Sequence, residues 1–123
     1  MTIRTIDRRD RTEGELTLIR DQLRTIGTFR KLKPLISASG IEAFLLVAQK
    51  EGQTMGDYAK LAGLSPTTMS RHLLDVGERD RHFEAGLGLV ESRDNIMNRR
   101  ERLYYLTHKG RALLASLLPK VQR

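Results

Sequence analysis

Four arginines fall between positions 93 and 102, Arg93, Arg99, Arg100 and Arg102, set against only Asp94 and Glu101. A guanidinium is a planar fork of donors that fits phosphate oxygens and the acceptor edge of guanine. Such a cluster suits the backbone or the narrow minor groove of duplex DNA, and an ordinary solvated hairpin end is the competing reading. A second group lies upstream, Thr67, Thr68, Ser70 and Arg71, with Asp75 one turn on. On a helical wheel at about 100° per residue, Thr67 and Arg71 oppose Met69, Leu73 and Val76, with Thr68, Ser70 and Asp75 flanking. Arg71 is then placed for bidentate contact to guanine, and the two threonines for thymine methyls or phosphates. The competing use of Arg71 is a surface bridge to Asp75. Leu74 falls near the exposed side of the wheel, where packing on the segment after Gly77 is an alternative to contact with DNA. Ile96 and Met97 either wedge a base step or, the commoner use of such residues, lie buried under their loop.

Other kinds of chemistry lack their residues. The chain has no cysteine, hence no disulfide, thiolate metal site or thiol switch. His72, His82 and His108 have no metal-ligand spacing. No paired carboxylates, nucleophile with a base, or phosphate-binding glycine loop occurs at a usable spacing, and Gly86 and Gly88 read as a turn. Neither an enzyme nor a metal or cofactor is expected. The formal charge is +7, divided as +4 over residues 1–33, −3 over 34–92 and +6 over 93–123, so the positive charge sits at the two ends. That favours a polyanionic partner, because each phosphate neutralised releases a condensed counterion. No apolar run reaches the roughly 18 residues of a membrane span, and the N-terminus is rich in Arg and Asp rather than apolar. A soluble, cytoplasmic protein without a membrane partner is the expectation.

The elements that must hold these groups follow from periodicity and capping. Residues 1–12 interleave four arginines with Asp7 and Asp10 without an apolar period and are expected to form a flexible basic arm, with 13–123 as one domain. Leu16, Ile19, Leu23, Ile26 and Phe29 recur at steps of three and four, one stripe on a helix over 13–32 that ends by Pro34. Ser39 and Glu42 have capping-box spacing before a buried helix that stops at Gly52. Thr54 and Asp57 repeat it before a short helix, Asp57–Ala62, with Tyr58, Leu61 and Ala62 inward and Gly63 closing it. Ser65 caps and Pro66 starts the next helix, running to about Glu78. After a charged segment, 78–85, come a strand over Leu87–Glu91, a loop over 94–101, and a strand over Arg102–Leu106. Thr107 caps a last helix carrying Ala112, Leu113, Leu117 and Leu118, weakened by Pro119.

This order is that of a winged helix-turn-helix, mainly α with a small β-hairpin wing, with an N-terminal helix over 13–33 and a winged-helix core over 39–118. The segment GLVESRDNIMNRRERLYYLTHKGRALL, residues 88–114, resembles the wing and following helix of the multiple-antibiotic-resistance regulator (MarR) family. The matching features are Gly88 to Val90, the pair Arg99–Arg100, and Leu106, Thr107 and Gly110. The resemblance implies a dimeric regulator of transcription on double-stranded DNA whose wing arginine enters the minor groove. Three features depart from the family. The segment before the wing strand is several residues longer, Asn98 stands where an Asp is common, and little chain follows Pro119 to form a final helix. Dimerisation is therefore expected on residues 13–32, where Leu16, Ile19, Leu23 and Ile26 form either the homodimer seam or the cover of their own core. An effector pocket fits where the first and last helices meet, but no residues identify a small-molecule ligand. Two other roles fit the same pattern, a protein-interaction adaptor and an accessory factor in plasmid or phage replication.

Overall fold

Side-chain caps set where the helices begin. The computed structural model describes residues 10–78 and 86–118. The arm over residues 1–9, the charged segment 79–85 and the role given to Pro119 lie outside the described residues. Helix α1 (Glu13–Leu32) opens on a full capping box. The Thr12 hydroxyl accepts from Glu15 N at 3.1 Å, and the Glu15 carboxylate accepts from Thr12 N at 2.8 Å. Helix α2 (Ala38–Gln49) starts earlier than the Ser39 spacing suggests. Ser37 is the cap, its hydroxyl accepting from Gly40 N at 3.0 Å, and Ser39 lies inside the helix. The earlier start brings the buried Gly40 beside Ile36 and Val76.

Helix α3 (Met55–Ala62) begins two residues before Asp57, because the capping residue Thr54 directly precedes it. Thr54 and Asp57 exchange two hydrogen bonds of 3.1 Å, and the one that Thr54 N donates to the Asp57 carboxylate holds that carboxyl below its ordinary pKa. Gly63, at φ +69°, closes the helix in the left-handed region. Leu61 does not face inward. It is exposed, while Tyr58, Ala59 and Ala62 form the inward stripe, since Leu61 lies about 100° from the centre of that stripe on the wheel. Helix α4 (Pro66–Val76) has the expected Ser65 cap and Pro66 at its first position, and ends at Gly77 rather than Glu78.

The sheet has three antiparallel strands in the order β1 (Gln53–Thr54), β3 (Arg102–Leu106), β2 (Val90–Asp94). Strand β1 was too short to show any alternation, and its Thr54 doubles as the α3 cap. Strand β2 begins three residues later than Leu87. Gly88 N and Leu89 N instead donate to the carbonyls of Gly77 and Val76, at 2.7 and 2.9 Å, satisfying acceptors that the end of α4 leaves open. Helix α5 (His108–Leu117) follows directly, capped by Thr107 as expected.

The core lies between α2, α4 and the inner face of the sheet. Phe44, Val47, Tyr58, Met69, Val76 and Leu106 are its centre, all of them buried. Met69, Leu73 and Val76 form the buried face of α4, as their spacing predicts. Tyr58 stacks edge-on against Tyr104 at 6.3 Å, and its hydroxyl donates to the Lys50 carbonyl at 2.6 Å, so its polar end is satisfied. Helix α1 buries only Phe29, edge-on to Phe44 at 5.4 Å. Its Arg24 also donates to the Leu117 carbonyl at the end of α5, at 3.4 Å. Along the expected stripe Leu16 is half-buried, and Ile19, Leu23 and Ile26 are exposed in the single chain.

Candidate nucleic-acid interface

The start of α4 is held by its cap. Ser65 Oγ accepts from Thr68 N at 3.2 Å and donates to the Thr68 hydroxyl at 2.9 Å. That bond ties down Thr68, whereas Thr67 and Arg71 lie exposed on the outer face. Among the described residues Arg71 makes no ion pair, and the bridge to Asp75 does not form. Ser70 turns toward the wing. It lines a groove of about 610 Å³ between α4 and the hairpin, together with Leu74, Ser92, Arg102 and Tyr104. Leu74 is partly exposed there, against the hairpin side of α4.

Strand alternation divides the wing arginines between two faces. The register pairs Arg93 with Leu103 and Asp94 with Arg102. Arg102 lies on the face toward the groove and is fully engaged. It bonds to Ser92 Oγ at 2.7 Å, to the Ser92 carbonyl at 3.0 Å and to Asp94 at 2.7 Å. It therefore braces the two strands just below the tip. Arg93 lies on the other face, paired with Glu91 at 2.7 Å and seated 4.3 Å from the centre of the Tyr105 ring.

The tip consists of two successive turns that share Asn98. In the first, Asn98 N donates to the Asn95 carbonyl at 3.1 Å, and Asn95 Oδ1 accepts from Met97 N at 3.0 Å. In the second, Glu101 N donates to the Asn98 carbonyl at 3.0 Å, and Asn98 Oδ1 accepts from Arg100 N at 3.1 Å. Each turn is closed by an asparagine side chain that mimics a backbone turn. Asn98 also donates to Glu101 Oε1 at 3.1 Å. The corners are Ile96–Met97 and Arg99–Arg100, all exposed. Neither Arg99 nor Arg100 has an ion-pair partner among the described residues. Ile96 and Met97 are not buried under the loop: they are 88% and 91% exposed. Pattern reading treated these residues as a plain loop and Asn98 only as a replaced Asp. The signal for the turns was the asparagine at the first position of each.

Thr107 and Gly110 hold the wing to the body. The Thr107 hydroxyl accepts from Gly110 N at 3.0 Å and donates to the Gly88 carbonyl at 2.6 Å. Gly110 is buried so closely against Leu89 that a Cβ there would overlap the Leu89 carbonyl oxygen. These two contacts give Leu-Thr-x-x-Gly its physical content. A second hollow, of about 350 Å³, lies where the end of α1 and the start of α5 approach, lined by Leu32, Lys33, Leu87 and Lys109 among others. No helix among the described residues is long and apolar enough to cross a membrane, and no acid or histidine cluster among them could hold a metal.

No family model matches the chain, and no curated protein sequence does. Solved structures match it in fold. A MarR family transcription regulator aligns at a TM-score of 0.58 and 20% identity, over 85% of this chain and 62% of that one. MarR from E. coli, in a mutant form complexed with operator DNA, aligns at 0.57 and 21%, over 85% of this chain and 69% of the other. Streptococcus pneumoniae FabT in complex with DNA aligns at 0.57 and 19%, over 81% and 66%. The chain has the winged-helix fold of MarR-type regulators, and it spans less than two thirds of the length of the first of these three.

Proposed function

We propose that the chain is a sequence-specific, duplex-DNA-binding regulator of transcription, working as a homodimer in the cytoplasm. Helix α4 enters the major groove, where Arg71 reads a guanine and Thr67 a methyl or phosphate. Arg99 and Arg100 take the backbone or minor groove, and Arg102 braces the hairpin that carries them. The observation that carries this reading is a set of exposed arginines with no ion-pair partner among the described residues, Arg71 on the outer face of α4 and Arg99 and Arg100 at the tip of the wing. An arginine kept without a carboxylate is available to a phosphate or a base. The MarR and FabT complexes with DNA support the same use of this fold.

The test separates the two groups. Replacing Arg99 and Arg100 with Ala should weaken binding to all duplexes and reduce the slope of log affinity against log salt by about 1–2. Arg71→Ala should cost about 1–3 kcal/mol and relax preference at one base pair. Equal, sequence-independent losses from both would overturn these roles.

A further inference from the structure

We propose that Ile96 and Met97 form a hydrophobic wedge that enters a base step beside the groove taken by Arg99 and Arg100, unstacking the DNA there. The inference rests on the duplex-DNA reading above and adds a second mode of contact to it. Two adjacent large apolar side chains, at 88% and 91% exposure, present apolar surface to water that would be favourable to bury. The loop does not present them by slackness. The Asn95 turn fixes the backbone of their corner, Asn95 N closes the loop on the Glu101 carbonyl at 3.3 Å, and Arg102 clamps the strands beneath. A fixed apolar corner keeps its side chains available at little further ordering cost when they bind.

The neighbouring corner identifies the partner. Arg99 and Arg100 occupy the same positions of the next turn, one asparagine away, and have no carboxylate partner among the described residues. A basic corner directs the tip to a polyanion, and an apolar corner beside it then meets what lies inside that polyanion, the faces of stacked bases. Isoleucine and methionine are among the side chains that wedge into base steps, and pyrimidine–purine steps open most easily. A protein surface would use both corners only if it set carboxylates directly beside an apolar patch, whereas every step of a duplex sets phosphates beside stacked bases.

The experiment uses the full chain and a duplex selected by it from random sequence, with 2-aminopurine placed in turn at each step under the wing. Binding of the unaltered chain should raise the fluorescence at one step, because unstacking relieves quenching. The variant Ile96→Ser with Met97→Ser should abolish that rise and lower affinity about tenfold, with the salt slope unchanged because no phosphate contact is lost. The conservative variant Ile96→Leu should keep the rise. A duplex bound tightly with no rise at any step would overturn the wedge and leave the DNA reading standing. So would a double-serine variant that binds and unstacks as the parent does. Failure of the unaltered chain to bind any duplex would overturn both. Both side chains are exposed, so a circular dichroism spectrum matching the parent is expected for each variant.

Discussion

Arg93 and Arg102 belong to adjacent rungs of the wing ladder and project from opposite faces of it. Arg102 is locked to Ser92 and Asp94 on the groove side, while Arg93 is spent on Glu91 and the Tyr105 ring. Arg93→Ala should therefore change duplex affinity by less than about 0.5 kcal/mol, since it loses only an exposed pair and a surface ring contact. Arg102→Ala should cost more, through a loosened tip. Titration of both variants against one duplex at fixed salt checks this, and a loss from Arg93→Ala as large as that from the Arg99 and Arg100 double variant would refute it.

Gly110 tests how the wing is fastened. An added methyl would overlap the Leu89 carbonyl, in a backbone contact that cannot rotate away. Gly110→Ala should destabilise the fold by about 1–3 kcal/mol, read from denaturant midpoints. Gly63 has open space around it but needs positive φ, so Gly63→Asn should be much milder than Gly63→Val.

The Thr54–Asp57 box carries a pH signature. The Thr54 backbone N–H, and after it the Thr54 hydroxyl, hold the Asp57 pKa below 3.8, so the carboxylate stabilises the folded state fully above that value. The contribution is lost as pH falls through the lower folded-state pKa. Asp57→Asn should flatten the acid limb of melting temperature against pH below about 4 and leave the neutral region nearly parallel. An identical acid limb in the variant would contradict the assignment.

Leu23, at 65% exposure, and Ile26, at 47%, are open on α1 in the single chain. Replacing both with Ser should leave a folded protein and convert the proposed dimer to monomer, seen by light scattering together with circular dichroism. A folded variant that stays dimeric places the seam elsewhere.

Most of the frame was legible because it rests on local rules. Ser65–Pro66, Thr54–Asp57 and Thr107 each announce a helix through a side-chain oxygen within one turn, and Met69, Leu73 and Val76 repeat at helical spacing. What was not legible depends on partners distant in sequence. Leu87 to Leu89 look like strand, yet their amides are drawn to the end of α4, and Gln53 becomes strand only because Tyr104 lies opposite. At the interface, residue types pointed to Arg71, Arg99 and Arg100. The division of Arg93 from Arg102 was also implied by strand alternation, but only once β2 was placed in its true register. The exposure of Ile96 and Met97 depended on turns that composition alone does not reveal.

The most direct test of the central claim is selection of binding sites from random duplex DNA, followed by titration of the enriched site against scrambled duplex at one near-physiological salt. The account predicts an enriched inverted repeat bound about 1,000-fold or more above scrambled DNA. No enrichment, with equal binding to both duplexes or none to either, would contradict it.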